Sequence, residues 1–410
     1  MPRRKFLPLW YNCCMQPKEK IIEAILTRGV EQITEKNHLF KALLSGKKLR
    51  VKHGIDPTGP KIHIGRASTL WKIRAFQDLG HTVVLIIGDY TAQIGDASDK
   101  LSKRPFLSQA QVKENMKHYT KQLGMVLDMK KVELHYNSKW FSKMKLREFD
   151  ELAELFSVQQ MIARRNFKER WEKEEEISIR ELHYALYQGY DSVAIKADLE
   201  IGGADQLFNL FAGRKIQEHY GQKPQDILTT KMLLGLDGRK MSTSWGNVVD
   251  IANSPDEQFG KIMSMHDECI IDYFEIATDV PPLSVRDYKE ELRKGVNPKI
   301  MKERLAFEIV KRYHGEKAAE QAHDRFDKLF SKKEIPGNIP RLKLQGKETG
   351  ILDLLVKAGI SSKSEARRLV SQNAVELNGI LKNDPFETIR FRGGEMLKIG
   401  KHRFFKIETK

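Results

Sequence analysis

The sequence predicts an α/β protein with a doubly wound parallel sheet, followed by an α-helical region and a small α+β domain. Residues 82–87 are apolar without alternation, which is typical of a strand covered on both faces. From residue 49 onward, strand-like runs alternate with helical ones, and this alternation indicates parallel strands joined by helices. Beyond residue 250 the apolar spacing is helical, and from about residue 348 short strand-like runs accompany one helix.

The chain is long and strongly basic. Its 410 residues, 40% of them apolar, are enough to bury more than one core. A formal net charge of +16 points to a polyanionic partner, with nucleic acid as the first choice. A basic surface that binds nothing is the alternative, because charge alone is weakly specific.

Cysteine usage and hydropathy argue against two classes of protein. The three cysteines are Cys13, Cys14 and Cys269, which cannot supply a disulfide framework or a zinc-binding set. No stretch approaches the roughly 20 apolar residues that span a bilayer, and no signal-type apolar core follows the basic N-terminus. We therefore expect a cytoplasmic protein that crosses no membrane.

Changes of pattern along the chain predict five segments. They are a helical lead-in at 1–48, the α/β domain at 49–250 with a helical insertion at about 108–180, a helical domain at 251–330, a linker at 331–347, and the small α+β domain at 348–410. The insertion carries apolar positions that could pack internally or against a second subunit. These positions are Leu152, Leu155, Phe156, Met161 and Ile162.

Two short motifs far apart predict a site for a nucleoside triphosphate. The first begins at His63, which follows a strand-like run at 49–53 and a turn, and opens a helix. The N–H groups and the dipole at a helix N-terminus attract anions. By itself His63 would more often be a structural residue, and the distant lysine motif is what favours a phosphate role. That second motif is Lys240-Met241-Ser242-Thr243-Ser244.

The C-terminal domain has its own signals. Ser362 and Glu365 form a capping-box pattern at the start of a helix, and Asn378-Gly379 is a strong two-residue hairpin signal. A second glycine turn, Gly393-Gly394, joins two further strand-like runs. Basic side chains on the helix would suit a phosphate backbone, with a solvated basic face as the alternative. They are Lys363, Arg367 and Arg368.

Taken in order, five motifs resemble those of the tyrosyl-tRNA synthetase family. They are residues 54–58, 63–66, 184–191, 202–206 and 240–244. The helical insertion and Gly246-Asn247 are similar to a bacterial subgroup, and the tail from about residue 349 resembles an RNA-binding domain shared with a small-subunit ribosomal protein. The resemblance implies a Rossmann-like, HUP-type catalytic domain. It also implies that L-tyrosine is activated with ATP, with loss of pyrophosphate, and then transferred to the 3′ end of tRNA(Tyr).

The same resemblance implies a role for each motif residue. The residues expected to make catalytic contacts with the phosphates are Thr58, His63, Arg66, Lys240, Ser242, Thr243 and Ser244. The other ATP-binding positions are Gly54, Asp56, Gly65, Gly202, Gly203, Asp205 and Met241. The residues expected to bind tyrosine are Thr91, Asp96, Tyr184, Gln188 and Gln206, with Asp191 at the phenol. A plain helix cap is the alternative for Asp96.

Substrates and partners follow from the resemblance as well. ATP is expected as a substrate with Mg²⁺ on the nucleotide, and no metal site is expected on the protein itself. The partners would be tRNA(Tyr) and, through the region around residues 156–167, a second copy of the chain.

Three residues depart from the family pattern. Arg66 replaces the usual second histidine of the first signature, and Thr243 replaces the second lysine of the loop signature. Lys52 stands where many members place a tyrosine near the phenol. We expect Lys52 to lean outward, which leaves the second partner of the phenol open.

Two rival functions remain. A tryptophanyl-tRNA synthetase would share the fold and both signatures, although residues 188–191 and the RNA-binding tail favour tyrosine. A non-catalytic RNA-binding module could also keep the scaffold. Retention of His63, Asp205, Gln206 and Lys240 together argues against that module.

Overall fold

The computed structural model describes residues 18–96, 107–242, 245–330, 340–344, 346, 348–360, 362–400 and 403–409. The chain divides into two compact units, Met1–His323 and Asp324–Lys410. Among the described residues, no helix is both long and apolar enough to cross a bilayer. Most of the predicted linker lies outside the described residues, but its part Arg341–Leu344 is a strand.

The first unit is built on a six-stranded sheet, which confirms the predicted doubly wound class. The strand order is β1-β6-β5-β2-β3-β4, and every neighbouring pair is parallel except β1 with β6. These strands are β1 (Val30–Ile33), β2 (Arg50–Ile55), β3 (Thr82–Ile87), β4 (Val132–Tyr136), β5 (Leu199–Gly203) and β6 (Asp226–Thr230).

The chain changes direction across this sheet between β2 and β5. It runs outward from β2 through β3 to β4, then returns to the other side of β2 as β5 and continues to β6. Strand β3 is buried on both faces, with Val83, Val84, Leu85 and Ile86 fully covered. In such sheets, ligands bind at the carboxyl ends of the strands beside the point of reversal.

Helices cover both faces of the sheet and fill the rest of the first unit. The longest near the sheet are α3 and α11, and α17 spans the boundary between the two units. The helices are α1 (Lys18–Ile25), α2 (Lys36–Leu44), α3 (Ile64–Asp78), α4 (Thr91–Ile94), α5 (Gln109–Met116), α6 (Tyr119–Val126), α7 (Ser138–Phe141), α8 (Leu146–Glu154), α9 (Val158–Ile162), α10 (Arg165–Glu172), α11 (Ile179–Ile195), α12 (Leu207–His219), α13 (Pro255–Met263), α14 (Ile270–Ala277), α15 (Pro282–Arg293), α16 (Pro298–His314) and α17 (Glu316–Phe330).

Two strands lie where the sequence pattern predicted only helices. Strand β1 falls within the predicted lead-in and β4 within the predicted insertion, so both segments contribute to the central sheet. Both are edge strands, and their residues are only partly buried or exposed. An edge strand carries polar residues and lacks the continuous apolar run that identified β3, which is why the pattern missed them.

The apolar residues of the insertion pack within the chain. Leu152 and Met161 are buried together with Leu186 and Ile216, and Leu155 and Phe156 pack against this cluster. Other apolar side chains of the same region are largely exposed. They are Leu146, Val158, Trp171 and Ile179.

From residue 340 onward, the described part of the second unit combines the helices α18 and α19 with two small sheets around its own core. The larger sheet has the order β10-β9-β12-β13-β7, and the smaller pairs β11 with β8. Its elements are β7 (Arg341–Leu344), β8 (Glu348–Gly350), α18 (Ile351–Lys357), α19 (Lys363–Ser371), β9 (Val375–Leu377), β10 (Ile380–Leu381), β11 (Thr388–Arg390), β12 (Met396–Ile399) and β13 (Arg403–Thr409).

The local signals in the second unit act as the sequence predicted. The Ser362 hydroxyl accepts a hydrogen bond from the Glu365 N–H at 3.2 Å and caps α19. Asn378 and Gly379 both have positive φ, 52° and 78°, and connect the antiparallel strands β9 and β10. Positive φ at both positions defines the hairpin turn that favours Asn-Gly. The second glycine turn joins β11 to β12, which belong to different sheets.

The packing of α11 on α12 predicts a sharp response at Gly189. A Cβ there would lie 2.7 Å from Ile216 Cδ1 and 3.1 Å from backbone atoms of Ala212 and Gly213. Gly189→Ala should therefore lower the free energy of unfolding by about 1 to 3 kcal/mol, measured by urea denaturation. Gly124→Ala in α6 is the matched control, since its Cβ would meet Met129 Cγ at an ordinary 3.6 Å. It should be neutral or stabilising, and equal losses in both variants would contradict the packing argument.

Candidate active site

A cavity of about 540 Å³ lies at the carboxyl ends of β2 and β5. It is lined by all the predicted catalytic, ATP-binding and tyrosine-binding residues that the structure describes. These are Gly54, Asp56, Thr58, His63, Gly65, Arg66, Thr91, Asp96, Tyr184, Gln188, Asp191, Gly202, Gly203, Asp205, Gln206, Lys240, Met241 and Ser242. Thr243 and Ser244 lie outside the described residues.

His63 is the N-cap residue of α3. Its Nδ1 accepts a hydrogen bond from the Arg66 N–H at 3.4 Å. Burial, with a contribution from the Arg66 charge, lowers the pKa of the imidazole to about 3, so His63 is neutral. A neutral imidazole whose Nδ1 accepts carries its proton on Nε2. His63 therefore offers a hydrogen-bond donor at a helix N-terminus, where anions are also favoured by the dipole.

The Arg66 guanidinium is held beside this donor by two hydroxyl groups. Its Nη2 donates to Thr58 Oγ1 at 3.2 Å and its Nη1 to the Tyr119 hydroxyl at 3.1 Å. Tyr119 is buried in α6, a helix of the predicted insertion. Tyr119 is not among the predicted site residues, because nothing in the local pattern links it to Arg66, 53 positions away. These contacts place a fixed positive charge next to the turn between β2 and α3.

The two signature motifs meet across the cavity. A Cβ on Gly65 would lie 2.6 Å from Met241 Sδ, so the glycine leaves room for the methionine to pack in its present position against the start of α3. The Lys240 ammonium lies 3.9 Å from an Asp205 carboxylate oxygen. Lysine, arginine and imidazole groups from distant parts of the chain therefore converge on one end of the cavity.

Asn247 anchors the described part of the lysine-containing loop. Its Oδ1 accepts from the Ser242 N–H at 2.8 Å, and its Nδ2 donates to the Lys240 carbonyl at 3.1 Å. The same Nδ2 donates to Asp237 Oδ1 at 2.8 Å, and the side chain is buried. One amide thus holds Lys240 and Ser242 in place.

The Asp56 side chain joins two other residues of the cavity lining. Its carboxylate accepts from Thr91 Oγ1 at 2.7 Å and from the Tyr184 hydroxyl at 2.9 Å. Asp56 is a predicted ATP-binding residue, and its side chain hydrogen-bonds two residues expected around the amino acid.

Three amide side chains and Asp96 form a hydrogen-bonded polar wall along the cavity. Gln206 Nε2 donates to Asp96 Oδ2 at 2.7 Å, and Asn209 Nδ2 donates to the side-chain oxygens of Gln206 and Gln188, both at 3.0 Å. Because these side chains order one another, the carboxylate of Asp96 is held at the cavity surface. Such a wall is suited to an ammonium group.

Asp191 is a buried carboxylate at the inner end of the same cavity. Its oxygens accept from Trp140 Nε1 at 2.9 Å and from Asn137 Nδ2 at 3.4 Å. Burial is the main reason that its pKa is raised to about 7, and the nearby Lys52 charge opposes that effect. Asn137 and Trp140 follow strand β4, which the sequence pattern did not predict, so neither is among the predicted site residues.

The expectation that Lys52 leans outward is wrong. Lys52 is fully buried, and its Nζ lies 2.9 Å from Glu200 Oε1. The same Nζ donates to the Gln188 carbonyl at 2.8 Å and to Ser192 Oγ at 2.7 Å. Lys52 and Glu200 are direct neighbours on the parallel strands β2 and β5. A buried charge requires a partner, and Glu200, 148 positions further along the chain, is the partner of Lys52.

The fold and the cavity define a class of protein. A parallel sheet binds ligands at its switch point, and here a helix N-terminus and three basic or imidazole side chains line one end of the cavity. This is the arrangement of a nucleotide-binding α/β enzyme with a second polar compartment for a small substrate.

Sequence comparisons give the family. The profile of "tRNA synthetases class I (W and Y)" matches residues 44–331, and "Tyrosine--tRNA ligase SYY-like C-terminal domain" matches residues 332–391. The tyrosine–tRNA ligase of Dehalococcoides mccartyi is 44% identical over 396 residues, covering 96% of this chain and 100% of the relative. That of Thermotoga maritima is 44% identical over 402 residues, covering 97% and 100%.

Solved structures agree on the fold. The truncated mitochondrial tyrosyl-tRNA synthetase of Aspergillus nidulans superposes with a TM-score of 0.62 at 21% identity, over 76% of this chain and 94% of that one. The Archaeoglobus fulgidus enzyme, crystallised with L-tyrosine, gives 0.60 at 18% identity, over 75% and 100%. The chain therefore belongs to the class I tRNA synthetase family, and within it to the tyrosine–tRNA ligases.

The raised pKa of Asp191 predicts a specific dependence of stability on pH. The folded protein retains the Asp191 proton up to about pH 7, whereas an unfolded aspartate loses it near 3.8. The folded state binds more protons in this range, so the contribution of Asp191 to stability falls as pH rises from about 4 to 7. Between pH 5 and 8, the wild type should lose roughly 2 to 3 kcal/mol more unfolding free energy than Asp191→Asn. Unfolding free energy would be measured by urea denaturation at each pH. If it changed with pH equally in the wild type and in Asp191→Asn, that result would contradict the burial of the Asp191 carboxyl.

Proposed function

We propose that the chain activates L-tyrosine with ATP and transfers the tyrosyl group to the 3′ end of tRNA(Tyr). One observation carries the proposal: the phosphate-directed groups around His63 and the buried carboxylate of Asp191 line a single cavity. The full-length match to relatives named tyrosine–tRNA ligase supports the choice of amino acid.

The first step joins two anions. The tyrosine carboxylate attacks the α-phosphorus of ATP, a mixed anhydride forms, and pyrophosphate leaves. The protein must orient the reactants and stabilise the negative charge that spreads over the phosphates. The departing pyrophosphate would be bound by the Nε2–H of His63, the guanidinium of Arg66 and the ammonium of Lys240, with Thr58 and Ser242 as hydroxyl donors. Thr243 and Ser244 belong to the same proposed loop.

The nucleotide would lie between the two signature motifs. Gly202 and Gly203 let the end of β5 approach the ribose, and Asp205 would bind its hydroxyls. ATP would enter as its magnesium complex, with the phosphates carrying the metal. Among the described residues, no group of three or more His, Cys, Asp or Glu could hold a metal ion.

The amino acid would occupy the opposite compartment. Asp96, Gln188 and Gln206 would face its ammonium and carboxylate, with Tyr184 and Thr91 held by Asp56 beside them. At the inner end of the cavity, Asp191 would accept a hydrogen bond from the phenol hydroxyl group. Phenylalanine would leave the acceptor position that faces the phenol, in addition to those bonded by Trp140 and Asn137, without a donor, which costs about 1 to 3 kcal/mol. The ionised form of Asp191 is the stronger acceptor, so tyrosine binding would improve toward pH 8.

The second step requires tRNA to bind to the protein that holds the tyrosyl-adenylate. The terminal ribose hydroxyl attacks the activated carbonyl, and AMP leaves. Residues 251–330 and the second unit would bind the tRNA body, with Lys363, Arg367 and Arg368 on α19 directed to its phosphates. We further propose a cytoplasmic homodimer, in which the exposed apolar side chains of the insertion would be covered by the second copy.

Amino acid-dependent exchange of labelled pyrophosphate into ATP tests this function directly. Tyrosine should support exchange, while tryptophan and phenylalanine should not. His63→Ala should lower the exchange rate by about 100-fold or more, since it removes a donor to the transition state, and should leave the KM for tyrosine unchanged.

His219→Ala is the matched control, because this exposed histidine lies outside the cavity. It should behave as the wild type. Exchange that depends on tryptophan, or on no aromatic amino acid, would contradict the proposed function.

A further inference from the structure

Phe386 is the most exposed of the large apolar side chains in the described part of the second unit. Its relative exposure is 79%, against 64% for Ile380 and 45% for Leu381. An isolated exposed leucine or isoleucine is ordinary on a protein surface, but an open aromatic ring offers a flat face of large area. The ring lies on the loop between β10 and β11.

The loop around Phe386 is held by its own hydrogen bonds. The Phe386 N–H donates to Asp384 Oδ1 at 2.9 Å, and the Glu387 N–H donates to the Asp384 carbonyl at 3.2 Å. Glu387 is also paired with Lys382. An aspartate side chain that accepts a hydrogen bond from the N–H group two residues later commonly stabilises a turn. The exposure of the ring therefore follows from an ordered turn.

A cation on the neighbouring helix lies beside the ring. The Arg367 guanidinium is 5.7 Å from the centre of Phe386, and Arg367 itself is exposed. Arg368 and Lys363 belong to the same helix, α19. Residues 340–410 contain fifteen Lys and Arg against eight Asp and Glu, a net charge of +7. A flat apolar face within a basic surface matches a partner that combines planar rings with negative charge.

We propose that Phe386 stacks on an unpaired base of the bound tRNA while Arg367 contacts a phosphate next to that base. The inference rests on the proposed function, since it takes the RNA of that reaction as the ligand. A base inside an A-form helix is covered on both faces by its neighbours, so only an unpaired, unstacked base can offer its face to the ring. Stacking on aromatic side chains tolerates different bases, because every base has a π-face.

The salt dependence of tRNA binding by the full chain separates the two contacts. Phe386→Ala should weaken binding about 5- to 100-fold and leave the slope of log K against log salt unchanged, because stacking releases no counterions. Arg367→Gln should make that slope shallower by roughly 0.7 to 0.9, the value for one lost phosphate contact. Phe386→Trp should restore binding, since it keeps an aromatic face.

Ile380→Ala is the matched control, because it removes another exposed apolar side chain from the same unit. It should bind tRNA and form tyrosyl-adenylate as the wild type does. Wild-type affinity in folded Phe386→Ala, or an equal loss in Ile380→Ala, would overturn the assignment. A wild-type protein that binds no tRNA would instead contradict the proposed function.

Discussion

The candidate site depends on a buried ion pair between two neighbouring strands. Lys52 on β2 and Glu200 on β5 face each other at 2.9 Å, and both are fully covered. Lys52 also donates to the Gln188 carbonyl and to Ser192 Oγ, which ties both strands to α11. Strand β2 leads to His63, β5 ends at Gly202 and Gly203, and α11 carries Tyr184, Gln188 and Asp191. One pair of charges thus connects the three elements that form the cavity.

A buried pair of this kind fixes positions more than it adds net stability. Removing two charges from water is costly, and the cost is offset only when further hydrogen bonds complete the site. Glu200 meets this condition, because it accepts from Gln188 Nε2 at 3.3 Å, Ser192 Oγ at 3.1 Å and Gln225 Nε2 at 2.5 Å. The Lys52 charge also opposes the effect of burial on the pKa of Asp191, while the smaller effect of the Glu200 charge adds to it. The pair therefore influences both the geometry and the charge of the proposed amino acid compartment.

The parts of this fold that could be predicted are those with a strong local signal. Strand β3 matches its predicted bounds because burial on both faces leaves a continuous apolar run. The Asn378-Gly379 hairpin and the Ser362 cap likewise follow from the backbone geometry that these residues favour. The motif residues were found by resemblance, and the fold then placed the described ones around one cavity.

The parts that were missed depend on contacts between distant segments. Edge strands β1 and β4 have no continuous apolar run, so Asn137 and Trp140 beside Asp191 could not be located. The direction of Lys52 depends on which strand lies next to β2, and that neighbour is 148 residues further along the chain. A local pattern contains no information about such pairings, because they are decided by the packing of the whole sheet.

The most direct test of the role of the ion pair is a double-mutant cycle with Lys52→Met, Glu200→Gln and the combined variant. Unfolding free energy would be measured by urea denaturation and tyrosine affinity by calorimetry. Each single change leaves an unpaired buried charge, so each should cost about 3 to 5 kcal/mol and weaken tyrosine binding. The double variant should cost clearly less than the sum. Additive losses, or single variants that bind tyrosine as the wild type does, would contradict the account.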